Sequence, residues 1–269
     1  MAGTGSHDGP VKGPEDAALE GLKSALVLMV DDDPTSFDVL EMFLEAEGYR
    51  ELVKLSDSRK ALAMIAGLEP DVVLLNLGMP HVSGLEILAA MQRDPALRAI
   101  PVLIITGSND PERKRRALEL GAADFLAKPV DPSELALRLR NTLASRAYRD
   151  GEPVRTVESA SAMAPARDPQ GSEDRIRTIV DTFLGRLRPR LDAMAASLAS
   201  SDFAGVAELA HWLKGAAGTV GLHEFTEPAA ELGRLAREGN AEPMGALVGQ
   251  LRRMAARAER RDEGRGAPS

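Results

Sequence analysis

The chain has 269 residues, no cysteine, 44% hydrophobic residues and a formal net charge of −8. At roughly 100–200 residues per domain this length suits one large domain or two small ones, and the lack of cysteine excludes disulfides, thiolate metal sites and a cysteine nucleophile. No apolar run approaches the roughly 20 residues that cross a bilayer, no secretory signal is visible and the charge is acidic, so we expect a cytoplasmic protein without membrane or nucleic-acid partners.

The first half of the chain alternates strand and helix patterns. Residues 1–23 are rich in Gly, Pro and small polar residues and are predicted to be a disordered lead-in. Predicted strands follow at 26–30, 51–55, 72–75, 102–105 and 123–126, and predicted helices at about 35–47, 57–67, 84–93, 111–120 and 132–146. This alternation predicts an α/β domain over 24–146, a doubly wound five-stranded parallel sheet with helices on both faces.

The second half shows only helical patterns. Residues 147–171 lack periodicity and are predicted to be a linker, with a helix start at Ser172. The predicted helices lie at about 173–187, 189–199, 203–219, 224–238 and 242–260. We therefore expect an all-α helical bundle over 172–262 and a short tail over 263–269.

Polar side chains follow four of the predicted strands. They are Asp31, Asp32 and Asp33 after the first strand, Asn76 after the third, Thr106 at the end of the fourth and Lys128 after the fifth. Ligand sites of open α/β sheets form beyond the carboxyl ends of the strands, and carboxylates, a hydroxyl and an ammonium suit Mg²⁺ and a phosphoryl group. Alternatively, the three aspartates cap the first helix.

Residues 25–146 resemble the receiver domain of bacterial two-component signalling. The matching segments are VDDD at 30–33, NLGMPHVSG at 76–84, IITG at 104–107 and GAADFLAKP at 121–129. The resemblance implies the flavodoxin-like receiver fold and an acidic pair at Asp31 and Asp32. It also implies Mg²⁺ held by Asp32, by the residue at position 76 and by the backbone carbonyl of Gly78. The remaining implied residues are a switch hydroxyl at Thr106, an aromatic switch at Phe125 and a phosphate-binding Lys128.

Position 76 departs from that family, in which an aspartate accepts the phosphoryl group. Asn76 is an uncharged carboxamide and a far poorer nucleophile than a carboxylate. Asp71 starts the same strand at the opposite edge of the sheet and cannot replace it. We therefore predict a pseudo-receiver that does not accept phosphate, with no tightly bound cofactor and a weakened Mg²⁺ site. Two alternatives are an engineered Asp-to-Asn replacement and, more remotely, an aspartate restored by deamidation.

The segment AHWLKGAAGTVG at 210–221 carries the second constellation. On a helix, Lys214, Gly215 and Gly218 share one face with His211, because residues three, four and seven apart are neighbours. Imidazole is a nucleophile near neutral pH, and an ammonium beside it stabilises a transferring phosphoryl group. The glycines are predicted to admit the active-site edge of a partner, or otherwise to pack closely against a neighbouring helix of the bundle.

Residues 172–262 resemble the histidine phosphotransfer (HPt) domain. Its signature, a histidine followed by x-Leu-Lys-Gly and two further spaced glycines, falls on His211, Leu213, Lys214, Gly215, Gly218 and Gly221. The resemblance implies that His211 is the phosphorylated residue. No ATP-binding motif is visible, so we expect a phosphotransfer protein without its own kinase activity rather than an enzyme.

The leading hypothesis is a phosphorelay protein. His211 would accept a phosphoryl group from the receiver domain of a hybrid sensor histidine kinase and pass it to a downstream response regulator, while the pseudo-receiver regulates, binds a partner or forms a homodimer. One alternative is a phosphate-independent adaptor or inhibitor of a kinase or regulator. Another is an internal relay from the receiver to the HPt domain, which requires that Asn76 replaces a natural aspartate.

Overall fold

The structure is a computed structural model that describes residues 21–107, 111–149 and 169–263, without the side chains of 169–175 and 261–263. Residues 1–20 of the predicted lead-in (1–23), most of the predicted linker and the end of the predicted tail lie outside the described residues. Residues 21–23 are helical, so the prediction of disorder is wrong for them. The strands are β1 (Val27–Val30), β2 (Leu52–Leu55), β3 (Val72–Leu75), β4 (Val102–Thr106) and β5 (Asp124–Ala127). The helices are α1 (Pro34–Ala46), α2 (Ala61–Leu68), α3 (Gly84–Arg93), α4 (Pro111–Glu119), α5 (Pro132–Arg149), α6 (Pro169–Ala199), α7 (Phe203–Thr219), α8 (Thr226–Glu238) and α9 (Met244–Glu263).

The five strands form one sheet in the order β2-β1-β3-β4-β5, which confirms the predicted fold class. The recorded pairings of β1 with β2 and β3, and of β3 with β4, are parallel. All residues of β1, β3 and β4 are buried. Because strands covered on both faces need no polar side, these three carry continuous apolar runs rather than an alternating pattern.

The C-terminal region is helical, and α6 to α9 pack on one another as the predicted bundle. Its core contains buried Phe183 and Leu187 from α6, Leu213 from α7, Leu232 from α8 and Leu251 from α9. These helices bury apolar stripes against each other, as bundle helices do.

The predicted break between helices at residue 188 is wrong. Helix α6 continues through Pro189 to Ala199. A proline inside a helix loses one backbone hydrogen bond and its ring crowds the carbonyl four residues earlier. The carbonyl that the ring of Pro189 approaches belongs to Gly185. Leu187 before the proline and Leu191 after it are both buried, so the helix packs against the core on both sides of Pro189. Packing of the apolar stripe therefore outweighs the local preference for a break.

Both ends of the predicted linker are helical. Helix α5 runs on to Arg149, and α6 begins at Pro169 rather than at Ser172. Proline is favoured in the first turn of a helix because its missing N–H would lack a partner there. The proline is thus the earlier start signal.

The chain packs as two compact units. One contains Gly48–Leu126 with β1 before it and the part of α5 from Ser133 after it. The other contains Asp31–Glu47, which includes α1, together with Ala127–Pro132 and the helices α6 to α9.

Candidate functional site

The carboxyl ends of the central strands lie side by side. Val30 at the end of β1 pairs with Leu75 at the end of β3, and Leu75 pairs with Ile104 of β4. Asn76 follows directly, and its backbone N–H donates to the carbonyl oxygen of Val30 at 2.9 Å. Asn76 and Thr106 are both buried, at 9% and 2% exposure. The sheet therefore holds these two predicted site residues at one edge.

The side chain of Asn76 is fixed by the loop that follows it. Its Oδ1 accepts a hydrogen bond from the backbone N–H of Gly78 at 3.2 Å. Where the chain enters α3, a Cβ at Gly84 would overlap the carbonyl oxygen of Asn76, so only glycine fits there. Ser83 begins α3 with a capping box, in which its hydroxyl accepts from the N–H of Glu86 and its own N–H donates to the Glu86 carboxylate.

The three aspartates after β1 have separate surroundings. Asp31 is buried, and its Oδ2 accepts from the Lys128 Nζ at 2.6 Å. Asp32 is exposed. Asp33 caps α1, since its Oδ1 accepts from the backbone N–H of Thr35 at 2.9 Å. Asp33 therefore caps a helix, as the alternative interpretation expects, whereas Asp31 pairs with Lys128.

The side chain of Lys128 donates hydrogen bonds to two residues that lie after β1 and at the start of α1. Besides Asp31, its Nζ donates to the Oγ of Ser36 at 2.6 Å, and the Ser36 side chain is buried. Charge-assisted hydrogen bonds of this kind are about twice as strong as neutral ones. Sequence reasoning missed Ser36, because a serine in the first turn of a helix gives no signal that a distant lysine reaches it.

The predicted Mg²⁺ ligands are Asp32, Asn76 and the backbone carbonyl of Gly78. Within the described part of the chain, no three or more His, Asp or Glu side chains are grouped so as to hold a metal ion. The buried carboxylate of Asp31 is already bonded to an ammonium. Mg²⁺ commonly binds through one or two carboxylates and substrate phosphates, and the weakened Mg²⁺ site stays a prediction.

Two cations lie against Phe125, the predicted aromatic switch. The Lys114 Nζ lies 4.9 Å from the ring centroid and the Arg138 Cζ lies 5.9 Å from it. Arg138 also pairs with Asp124 and, at 2.6 Å, with Glu134. Partial burial disfavours the charged guanidinium, but these hydrogen bonds outweigh it and raise the pKa of Arg138. Phe125 is therefore half-buried under two positive charges.

Helix α7 presents the predicted phosphotransfer residues on its outer face. His211, Lys214 and Gly215 are exposed and Gly218 is half-buried. The opposite face of the helix is buried and carries Val206, Ala210, Leu213, Ala217 and Val220. Among the described residues, the side chains of His211 and Lys214 make no hydrogen bond or ion pair. The imidazole is thus accessible to another molecule.

The two glycines on this face have different neighbours. A Cβ at Gly215 would lie 3.3 Å from the Cγ2 of Thr35 on α1, which is a tight contact. A Cβ at Gly218 would lie 3.7 Å from the Thr226 Oγ1, which is an ordinary contact. Close packing within the bundle therefore does not require glycine at position 218.

Trp212 is a packing residue of the bundle. It is buried and stacks on Phe183 with ring centroids 5.7 Å apart. The guanidinium of Arg190 lies over the indole at 4.0 Å, within cation–π range. Sequence reasoning missed Arg190. The only hint of its role in the sequence is that it lies four residues after Arg186, on the same side of α6.

Two family models match the chain in succession. The response regulator receiver domain matches residues 27–140, and the Hpt domain matches residues 178–261. None of the helices in the described ranges is long and apolar enough to cross a membrane.

The chain is similar in sequence to a bacterial sensor histidine kinase and to a bacterial transcriptional regulatory protein. The chain is 32% identical over 251 residues to the sensor histidine kinase AruS of Pseudomonas aeruginosa, covering 87% of this chain and 24% of that protein. It is 32% identical over 126 residues to the phosphate regulon transcriptional regulatory protein PhoB of the same species, covering 47% of this chain and 55% of that protein. The chain thus spans between about a quarter and about half of these relatives.

A solved structure with a similar sequence is that of the chemotaxis protein CheY4 of Vibrio cholerae. It is 30% identical, and the match covers 44% of this chain and 98% of that chain with a TM-score of 0.41. The order of the two family models along the chain agrees with the fold, in which a five-stranded sheet is followed by a helical bundle. The chain carries a receiver domain followed by an Hpt domain, the modules of a two-component phosphorelay.

Proposed function

We propose that His211 accepts a phosphoryl group from the receiver domain of a hybrid sensor histidine kinase and passes it to a downstream response regulator. The observation that carries the proposal is the accessible imidazole of His211 beside the Lys214 ammonium, on the outer face of a helix within the Hpt match. A histidine kept for packing would lie on the buried stripe of α7. The neighbouring Gly218 leaves room for the edge of a second protein.

The transfer is a displacement at phosphorus. A ring nitrogen of neutral His211 forms a bond to the phosphorus of the donor's aspartyl phosphate, the bond from phosphorus to the carboxylate oxygen breaks, and the carboxylate leaves with the electron pair. The second transfer runs the same exchange onto the aspartate of the downstream regulator. Lys214, one turn along the helix, stabilises the charge on the phosphoryl oxygens during both exchanges.

The receiver domain of this chain is proposed not to take part in the exchange. Asn76 offers an amide oxygen, already accepting from Gly78, where a nucleophilic carboxylate is needed. Lys128, which would bind phosphate, is paired with Asp31 and Ser36. In this proposal the phosphoryl group comes from a partner protein and is passed on to another partner protein.

A transfer assay against separately phosphorylated receiver domains tests this function. The natural chain is expected to take up labelled phosphate from at least one of them, and His211→Ala is expected to reduce the uptake to background because the nucleophile is missing. His223→Ala is the matched control, since His223 is an exposed histidine of the same bundle and should leave uptake unchanged.

Each outcome of that assay decides between hypotheses. Uptake that persists in His211→Ala would contradict the proposal. Absence of uptake from every receiver, together with binding of a kinase or regulator by both variants, would favour a phosphate-independent adaptor.

A further inference from the structure

Two arginines of α6 contact the acidic side of α1 within one compact unit. The Arg186 guanidinium pairs with Glu41 through Nη1 and with Glu45 through Nη2, both at 2.9 Å. Arg190 pairs with Asp38 at 2.5 Å. Arg186 also donates to the backbone carbonyl oxygen of Asp38 at 3.3 Å. Two cations thus bind three carboxylates spaced along one helix.

The ion pair between Arg186 and Glu41 is more enclosed than the exposed pair between Arg234 and Glu231 on α8. The side chains of Arg186 and Glu41 are 24% and 21% exposed, whereas those of Arg234 and Glu231 on α8 are 50% and 44% exposed. Exposed pairs are screened by water and add little, while enclosed and multiply bonded pairs add more. The contact between α1 and α6 is therefore a specific interface rather than a chance meeting of surface charges.

The same interface reaches the face of α7 that carries the nucleophile. The Thr35 side chain at the start of α1 lies against Gly215, close enough that a Cβ there would be 3.3 Å from it. Gly215 is four residues after His211, one helical turn of about 5.4 Å along the same face. Arg190 links the two contacts, because it binds Asp38 and also covers the ring of Trp212.

An incoming receiver must bring its aspartyl phosphate to His211 across this face. We propose that α1 is a docking helix for the chain's own bundle, and that it competes there with the receiver that donates the phosphoryl group; this rests on the proposed function of His211. Helix α1 and the donor receiver cannot both occupy the surface around Gly215. Docking of α1 therefore lowers the fraction of molecules in which the donor receiver can reach His211.

The chemistry of the surface also defines the partner that fits it. When α1 leaves, the bundle exposes the guanidinium groups of Arg186 and Arg190 near the ammonium of Lys214. A receiver that replaces α1 must bring carboxylates to these cations, because leaving two enclosed charges unpaired is unfavourable. The fitting partner is therefore a receiver with acidic side chains along the helix that contacts α6.

Cysteine pairing tests the docking without any phosphoryl donor. The natural chain has no cysteine, so Thr35→Cys with Gly215→Cys introduces the only thiols, at positions close enough to be bridged. Under oxidised glutathione this double variant should form an intramolecular disulfide. Thr35→Cys with Gly245→Cys is the control, since Gly245 has open space around it and should not form one. Equal disulfide yields in the two variants would overturn the docking.

Transfer rates test the competition. Glu41→Gln with Glu45→Gln removes both carboxylates from Arg186 and leaves the bundle itself unaltered. With the donor receiver found in the transfer assay, labelling of His211 should become about fivefold faster, the effect of losing interactions of this class. The control is Glu51→Gln, an exposed glutamate outside α1 that should leave the rate unchanged.

The two readouts separate the failure of this inference from that of the proposed function. A disulfide at 35 and 215 together with an unchanged transfer rate would show docking without competition and overturn the proposal. Absence of labelling in the natural chain and in every variant would instead overturn the proposed role of His211, while the disulfide yield would still decide whether α1 docks.

Discussion

At the scale of single residues, the candidate site residues of the two domains differ in exposure and in chemical type. His211 is exposed on α7 with a cation beside it, whereas Asn76 is buried at the end of β3 and bonded to its own loop. Lys128 is drawn to Asp31 at 2.6 Å. The imidazole of His211 is thus exposed, whereas the end of β3 presents the carboxamide of Asn76.

We predict that Asn76→Asp gains phosphorylation. A carboxylate at this position can attack phosphorus, and the Thr106 hydroxyl group lies at the same edge of the sheet. With acetyl phosphate and Mg²⁺ the variant should acquire a hydroxylamine-sensitive label that the natural chain lacks. Asn141→Asp, an exposed position on α5, is the control. A label of this kind on the natural chain would contradict the pseudo-receiver interpretation.

Much of the candidate site could be predicted at this scale, because motif and strand position together locate a side chain. Asn76, Thr106 and the exposed face of His211 lie where those patterns indicate. Ser36 and Arg190 could not be predicted, since their roles depend on residues far along the chain that meet them only after folding.

At the scale of elements, the strands and most helices follow from hydrophobic periodicity, and helix α6 is the exception. Local rules place a break at Pro189 because proline lacks an N–H. The helix nevertheless continues, since buried Leu187 and Leu191 lie on both sides of that residue. The sequence contains apolar residues at helical spacing on both sides of Pro189. Their burial depends on packing against α7 and α9, and a local sequence pattern does not show that packing.

We predict that Pro189→Ala stabilises the bundle. Alanine restores a backbone hydrogen bond and is favoured over proline in a helix interior by about 3 kcal/mol, so the free energy of unfolding should rise by about 1–3 kcal/mol. Urea unfolding followed by circular dichroism measures it. Pro243→Ala, which lies before α9, is the control and should change stability much less. Lower stability of Pro189→Ala would mean that the ring itself makes a needed contact.

At the scale of the whole molecule, sequence and packing group α1 differently. The receiver match covers α1 because it includes residues 27–140. The compact unit that contains the bundle also contains Asp31–Glu47. The two kinds of domain could be predicted from motifs, but the pairing of α1 with α6 could not, because acidic residues on a helix usually face only solvent. The predicted domain boundaries and homodimerisation through the receiver remain predictions.

The most direct test locates the phosphoryl group on the chain. The natural protein is incubated with a labelled, phosphorylated donor receiver and separately with labelled acetyl phosphate and Mg²⁺, and the labelled peptides are identified. We expect an acid-labile, alkali-stable label on the peptide that contains His211 after the first incubation, and none on the peptide that contains Asn76 after either. A hydroxylamine-sensitive label in the receiver domain, or transfer from a donor that bypasses His211, would contradict this function.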